Sequence, residues 1–107
     1  MQTTLDRTFT ALGDPARRAI VRRLAAAPAT VSTLAEPFDI SRPAVSRHLR
    51  VLSEAGIVKN EKSGRERWYS LNPEAFDEAE GWLEEIGETW SEALGALKTL
   101  VEEEANG

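Results

Sequence analysis

Apolar residues recur with the period of amphipathic helices in the first part of the chain, and capping and breaking residues separate the helices. The first predicted helix carries three apolar residues at helical spacing: Leu5, Phe9 and Leu12. Gly13 ends this helix, and Asp14 with Pro15 starts a second one, because aspartate caps helix N-termini and proline suits the first turn. Pro28 stops the second helix, so two helices precede residue 29.

A short helix, a turn and a longer helix are predicted next. Thr30 caps the short helix, which reads VSTLAEPF, and FDIS forms the turn. Ser41 caps the longer helix, Pro43 lies in its first turn, and Gly56 ends it. The inward-facing residues of the short helix are Val31, Leu34 and Ala35. Those of the longer helix are Val45, Leu49 and Leu52, which define its buried side.

The opposite side of the longer helix is polar and cationic. Helical spacing directs Pro43, Ser46, Arg47 and Arg50 away from the buried side, and places His48 at its edge. Arginine side chains match guanine edges and phosphate oxygens in a DNA major groove. Surface helices with arginines are also common, so the neighbouring segments decide the interpretation.

The period changes to two after this helix. Two short strands around Ser63 and Gly64 are predicted over IVKNEKSGRERWYSL. The two faces of the second strand hold Arg67, Tyr69 and Leu71 on one side and Glu66, Trp68 and Ser70 on the other. Arg65, beside Gly64 at the tip, is expected to reach a minor groove or phosphates. For Lys59, Lys62 and Arg67, solvation and DNA contact both stay open.

The order of these elements predicts a fold that is mainly α with a small β-hairpin. A short helix, a turn, a cationic helix and a basic hairpin describe a winged helix-turn-helix. The second helix adds four arginines, and phosphate contact stays open for each of them, with an acidic neighbour as the alternative partner for one: Arg17, Arg18, Arg22 and Arg23.

A long C-terminal helix follows. Asn72 and Pro73 start it, and it continues to about Glu104, which is roughly 31 residues or ~46 Å. Its apolar residues are spaced alternately by three and four: Phe76, Ala79, Leu83, Ile86, Trp90, Ala93, Leu97 and Leu100. This heptad spacing is typical of helices that pack lengthwise on another helix. Trp82, Leu94 and Val101 widen the stripe.

We interpret this helix as a dimerisation helix that the first helix assists, with intramolecular packing as the alternative. The predicted dimer-interface residues are Leu5, Phe9, Leu83, Ile86, Trp90, Ala93, Leu97 and Leu100. The predicted domain is one unit over residues 1–107, with the interface in 1–13 and 73–105, the helix-turn-helix in 30–56 and the wing in 57–71.

Composition limits the class of protein. The chain has 107 residues, which suits one compact domain, and it has no cysteine, which excludes disulfides and fits a reducing cytosol. The N-terminal residues lack a basic start followed by an apolar segment, and the longest apolar run, LAAAPA, is far shorter than the roughly 20 residues of a membrane span. We expect a cytoplasmic protein with no membrane partner.

Charge divides the chain into two parts. The formal net charge is −5, but residues 1–72 carry 12 Lys and Arg against 7 Asp and Glu, which is +5, whereas residues 73–107 carry 1 against 11, which is −10. A polyanion responds to the local field within a Debye length of roughly 8–10 Å, so net acidity does not exclude DNA. The glutamates of the last helix are interpreted as a solvated outer face, with metal binding as the alternative.

Three segments in order resemble the ArsR/SmtB family of bacterial and archaeal winged-helix transcription repressors: ALGDPARRAIVRRL, LAEPFDISRPAVSRHLRVLSEAGIV and GRERWYSLNPEA. The resemblance covers nearly the whole chain. It implies a homodimer with the first and last helices at the interface and the fourth helix as the reading element. By position it places six residues near DNA: Ser41, Arg42, Pro43, Ser46, Arg47 and His48. Helix geometry and the hairpin tip add Arg50 and Arg65 to this predicted contact set for double-stranded DNA.

The sequence departs from the metal-sensing members of that family. Those members use cysteines near the start of the third helix, or aspartate and histidine pairs on the last helix. Here the first place reads TVSTLAEP, and the last helix has carboxylates but no histidine. Zinc and soft metals favour thiolate and imidazole ligands, and the single histidine is His48 on the reading helix. We therefore expect no metal sensing and no cofactor.

The leading hypothesis is a homodimeric, sequence-specific transcriptional repressor that covers an inverted-repeat operator. The alternative is a winged-helix protein-interaction module that uses the acidic last helix, and the cationic fourth helix argues against it. An enzyme is disfavoured because the chain has one histidine, no cysteine, no glycine-rich phosphate loop and no nucleophile elbow. The effector stays open between an apolar molecule near Trp82 and Trp90, a partner protein and changing abundance, although core packing is the favoured role of these tryptophans.

Overall fold

The computed structural model describes residues 3–37 and 40–106 of the protein. The element order within those residues is α1 (Thr4–Leu12), α2 (Pro15–Ala26), α3 (Val31–Ala35), α4 (Arg42–Glu54), β1 (Val58–Ser63), β2 (Glu66–Leu71) and α5 (Asp77–Asn106). A short 3-10 helix (Pro73–Phe76) precedes α5. The fold is helical with one antiparallel hairpin and a long C-terminal helix, as the sequence predicts.

The predicted caps begin the helices. The Asp14 carboxylate accepts hydrogen bonds from the backbone N–H groups of Ala16 (2.8 Å) and Arg17 (3.2 Å). The Thr30 hydroxyl caps α3, and the Ser41 hydroxyl accepts from the Ala44 N–H at 3.3 Å to cap α4. These side chains satisfy N–H groups that lack helical partners, so local sequence fixes where α2, α3 and α4 begin.

One helix end differs slightly from the prediction and another is confirmed. The third helix stops at Ala35, and the remainder of the predicted segment includes Phe38, which lies outside the described residues, as does Asp39 in the predicted turn. The fourth helix stops at Glu54, and Gly56 ends it as predicted, with φ of +77° just after the C-cap Ala55. That left-handed conformation favours glycine and turns the chain into β1.

One apolar core joins the end of α1, helices α2, α3 and α4, and the base of the hairpin. Its buried members are Ala11, Ile20, Leu24, Ala29, Leu34, Val45, Leu49, Leu52, Ile57 and Val58. The core includes the predicted inward residues Leu34, Val45, Leu49 and Leu52, with Val31 and Ala35 partly buried beside them. The core therefore fixes α4 against α2 and α3 through one face.

The hairpin has a regular register. Val58 pairs with Leu71 at its base and Ser63 with Glu66 at its tip, which leaves a two-residue turn of Gly64 and Arg65. Gly64 has φ of +64°, as the first central residue of such a tight turn requires. Tyr69 and Leu71 pack against the core, whereas Arg67 on the same predicted face is exposed and Ser70 on the other face is half-buried.

The C-terminal helical segment starts at Asn72 and Pro73 as predicted, but its first turn, Pro73–Phe76, is a 3-10 helix and the α-helix begins only at Asp77. Asn72 occupies the N-cap position without a side-chain capping bond; its side-chain amide donates to the Gly56 carbonyl at 3.1 Å, and its backbone N–H donates to the Ile57 carbonyl at 2.8 Å. Asn72 instead ties the end of β2 to the end of α4.

The second half of α5 extends beyond the core. The radius of gyration is 19.7 Å and the longest axis is 73 Å, whereas a compact chain of this length has a radius of gyration of about 13 Å. No helix within residues 3–37 and 40–106 combines the length and apolar character needed to cross a bilayer.

Candidate nucleic-acid interface

The two sides of α4 differ in burial as its spacing predicts. Val45 is fully buried and Leu49 is 1% exposed. The exposed residues at the start and on the outer side of the helix are Ser41, Arg42, Pro43, Ser46, Arg47 and Arg50. The apolar side holds the helix in place, so the cationic side has a fixed orientation in solvent.

His48 lies at the edge between these two sides and is half-buried. Asp14 at the start of α2 is close enough to respond to it. The Arg17 backbone N–H that bonds to the Asp14 carboxylate is the largest cause of a pKa for Asp14 below its ordinary value, and the charges of Arg17 and His48 lower it further. The start of α2 and the edge of the predicted reading helix are therefore electrostatic neighbours.

The wing presents its cations at and near the tip. Arg65 occupies the turn, and Lys59, Lys62 and Arg67 are exposed along the strands. The Arg67 guanidinium donates a hydrogen bond to the Asn60 side-chain oxygen, while Lys62 lies opposite Arg67 in the register. The hairpin thus places three cations, Lys62, Arg65 and Arg67, close together at its outer end.

A backbone contact that the sequence did not indicate anchors the wing. The Ala29 N–H donates to the Tyr69 carbonyl at 3.0 Å, and the Tyr69 N–H donates to the Ala29 carbonyl at 2.8 Å. Ala29 lies between Pro28 and Thr30 in the short connection from α2 to α3, and no sequence pattern marks it for this pairing. The bridge fixes the base of the wing to the helix-turn-helix.

The arginines of α2 do not all face outwards as cations for phosphate. Arg17 Nε donates to the Ala11 carbonyl at 2.6 Å, and Arg17 Nη2 donates to the Thr10 carbonyl at 3.2 Å. Its Nη1 lies 4.0 Å from the Asp14 carboxylate. Arg17 therefore has the acidic neighbour that the sequence allows as the alternative to a phosphate contact. Arg18 Nη1 donates to the Leu12 carbonyl at 2.8 Å. Both arginines therefore bind the end of α1.

The apolar stripe of α5 forms a surface with α1. The Phe9 and Trp82 rings meet edge to face with their centroids 5.5 Å apart. A groove of about 380 Å³ runs between the two helices, with Leu12, Phe76 and Leu83 among its lining. Leu5 and Ile86 are half-buried, whereas the other predicted interface residues are exposed: Phe9, Leu83, Trp90, Ala93, Leu97 and Leu100.

Intramolecular packing, the alternative interpretation of this helix, covers only the start of the stripe at Phe76 and Ala79. Farther along α5 the stripe is uncovered, because Trp90 is 62% exposed and Leu97 is 56% exposed. Core packing is wrong for the tryptophans: Trp82 touches Phe9 but is 41% exposed. Within a single chain, the core ends near Ala79 and the rest of α5 projects past it.

Fold and surface together are those of a winged helix-turn-helix DNA-binding protein. The sequence pattern of the family described as "Helix-turn-helix domain" matches residues 12–61, which include α2, α3 and α4. The chain belongs to the ArsR/SmtB family of transcriptional regulators.

Relatives and solved structures support this assignment over most of the chain. The HTH-type transcriptional regulator Rv2034 of Mycobacterium tuberculosis is 40% identical over 101 residues, which are 94% of this chain and 92% of that protein. The transcriptional repressor SdpR of Bacillus subtilis is 33% identical over 79 residues, or 74% and 88% of the two chains. The crystal structure of ArsR family transcriptional regulator RHA00566 is 42% identical with a TM-score of 0.76, and the match covers 83% of this chain and 98% of that one.

Proposed function

We propose that this regulator is a homodimeric repressor that covers its operator and so excludes RNA polymerase. The observation that carries the proposal is the two-sided burial of α4, with Val45 and Leu49 inside and Arg47 and Arg50 outside. A helix held in this way presents a rigid cationic face, which fits a major groove. The whole unit is residues 1–107, with the helix-turn-helix in 30–56 and the wing in 57–71.

The proposed contacts divide by position. Ser46 and Arg47 set base preference, because both lie near the exposed middle of α4. Arg65 at the wing tip reaches an adjacent minor groove or its phosphates. The remaining proposed contacts are Ser41, Arg42, Pro43, His48 and Arg50. Affinity drawn from phosphate contacts falls as salt rises.

A second copy of the chain covers the exposed stripe of α5 in this proposal. The proposed interface is Leu5, Phe9, Leu83, Ile86, Trp90, Ala93, Leu97 and Leu100. A closed pair related by a two-fold axis presents two reading helices. The matching operator is an inverted repeat whose half-sites lie about 10 to 10.5 bp apart.

Arg47→Ala is expected to weaken operator binding by about 1–3 kcal/mol and to relax base preference at the position it reads. Electrophoretic mobility shifts on the DNA upstream of the protein's own gene, and on base variants of the bound site, measure both effects. Arg7→Ala is the control, because it removes an exposed arginine from α1 instead of α4. Unchanged selectivity in Arg47→Ala would contradict the assignment.

We also propose that metal ions do not release this regulator from DNA. The chain has no cysteine, and among residues 3–37 and 40–106 no three histidine or acidic side chains lie together in a way that would hold a metal ion. We expect zinc, cadmium or arsenite at stoichiometric amounts to leave the protein–DNA complex intact in the same mobility-shift assay. Release by any of the three would show that a metal site exists and would overturn this part of the proposal.

A further inference from the structure

The end of α1 is held by a side chain from α2. Helix α1 has no basic residue in its own last turn, so its terminal carbonyls and the negative end of its dipole lack a local cation. Arg17 provides one: its Nε and Nη2 donate to the carbonyls of Ala11 and Thr10 at 2.6 and 3.2 Å. Arg18 adds a bond to the Leu12 carbonyl at 2.8 Å.

The guanidinium of Arg17 is committed to this junction. Its side chain is 17% exposed, and its third nitrogen lies 4.0 Å from the Asp14 carboxylate. The planar fork of arginine satisfies two carbonyls at once, which a lysine ammonium at the end of a flexible stem does not reproduce. A phosphate contact by Arg17 would require its bonds to the Ala11 and Thr10 carbonyls to break. Its guanidinium therefore stabilises the junction between α1 and α2, which we call the α1–α2 joint.

This joint lies between the two surfaces on which the proposed function depends. On one side, α1 packs on α5 through Phe9 and Trp82, within the proposed dimer surface. On the other side, α2 places Ile20 and Leu24 in the same core as the buried side of α4. The angle between α1 and α2 therefore contributes to the position of each reading helix relative to the two-fold axis.

We propose that Arg17 is a positioning residue that fixes the distance between the two reading helices of the dimer. This inference rests on the proposed dimeric operator binding. A dimer with a stiff joint fits one half-site spacing and discriminates against others. A dimer with a loose joint samples several distances between its reading helices. Compared with the stiff dimer, it binds the operator with the preferred half-site spacing more weakly, and its affinity for an operator with another spacing changes little.

The test compares two duplexes. One is a duplex that the wild-type protein selects from random sequence, and the other is the same duplex with one base pair inserted at its centre. The variants are Arg17→Ala and Arg17→Lys, with Arg22→Ala as the control that removes an exposed charge from the same helix. Circular dichroism and sedimentation establish that each variant is folded and dimeric at the assay temperature.

We expect both Arg17 variants to lose about tenfold in affinity for the selected duplex and much less for the lengthened one, so spacing discrimination shrinks. We expect the slope of log affinity against log salt to stay at the wild-type value, because no phosphate contact is lost. Arg22→Ala is expected to keep the wild-type ratio between the two duplexes.

Three results would overturn the inference. A uniform loss on both duplexes would indicate general destabilisation, a shallower salt slope in Arg17→Ala would indicate a phosphate contact, and wild-type behaviour of Arg17→Lys would show that charge alone matters. Failure of the wild-type protein to select any duplex would instead contradict the proposed function itself, which keeps the two failures distinct.

Discussion

Leu97→Asp is expected to convert the protein into a monomer that binds its operator at least about a hundredfold more weakly than the wild type. Leu97 is 56% exposed on the projecting part of α5, and in the proposed dimer the second copy covers it. A carboxylate there loses its water without gaining a partner, which disfavours association. Each monomer then binds one half-site alone, and the gain from two linked sites, about 10² to 10⁴, is lost.

Sedimentation velocity and operator titration measure these two effects on the same preparation. Thr99→Asp is the matched control, because it places the same carboxylate two residues away on the acidic side of the helix. It is expected to stay dimeric and to bind as the wild type does. A Leu97→Asp monomer with wild-type affinity would remove the dimer from the mechanism.

Leu49→Ala is expected to lower the free energy of unfolding by about 2–5 kcal/mol. Leu49 is 1% exposed and belongs to the core that holds α4, so truncation leaves a cavity that its neighbours fill only in part. This loss is a large share of the roughly 5–15 kcal/mol that stabilises a small domain. Urea denaturation at equal protein concentrations measures it, since dimerisation makes stability depend on concentration.

Arg50→Ala on the next residue is the control for Leu49→Ala. Arg50 is exposed, so the free energy of unfolding is expected to change by no more than about 0.5 kcal/mol, while operator affinity falls. The two variants thus distinguish the contribution of α4 to stability from its contribution to DNA binding. Equal stability losses in the two variants would mean that the sides of α4 are not divided as described.

Local rules explain why so much of the fold follows from the sequence. The caps Asp14, Thr30 and Ser41 act on backbone groups two or three residues away, so the residues themselves locate the helix starts. The buried side of α4 follows from helical periodicity alone. The hairpin turn follows from Gly64, whose positive φ the tight turn needs.

The contacts between residues far apart in the sequence could not be predicted from sequence patterns. The Ala29–Tyr69 bridge depends on how the loop after α2 meets the wing, and neither residue carries a sign of it. Asn72 bonds to Gly56 rather than capping the next helix, because the end of β2 lies beside the end of α4. Helical spacing shows that Arg17 lies on α2, but only the turn between α1 and α2 brings it to the Ala11 carbonyl.

The candidate DNA-binding surface also has a part that the sequence predicts and a part that it does not. The exposed side of α4 was predictable, since one helix and one periodicity define it. The division of labour among the other arginines was not: Arg17 and Arg18 bind backbone carbonyls, and Arg67 binds the Asn60 side chain. Counting cations alone therefore overstates the surface that is free to meet phosphate.

Hydroxyl-radical footprinting of the wild-type protein on its operator tests the central claim most directly. If two copies each place α4 in a major groove, protection appears as two equivalent segments on one side of the duplex, with half-site centres about 10 to 10.5 bp apart. A single protected segment, or protection with no preference for any sequence, would contradict the account.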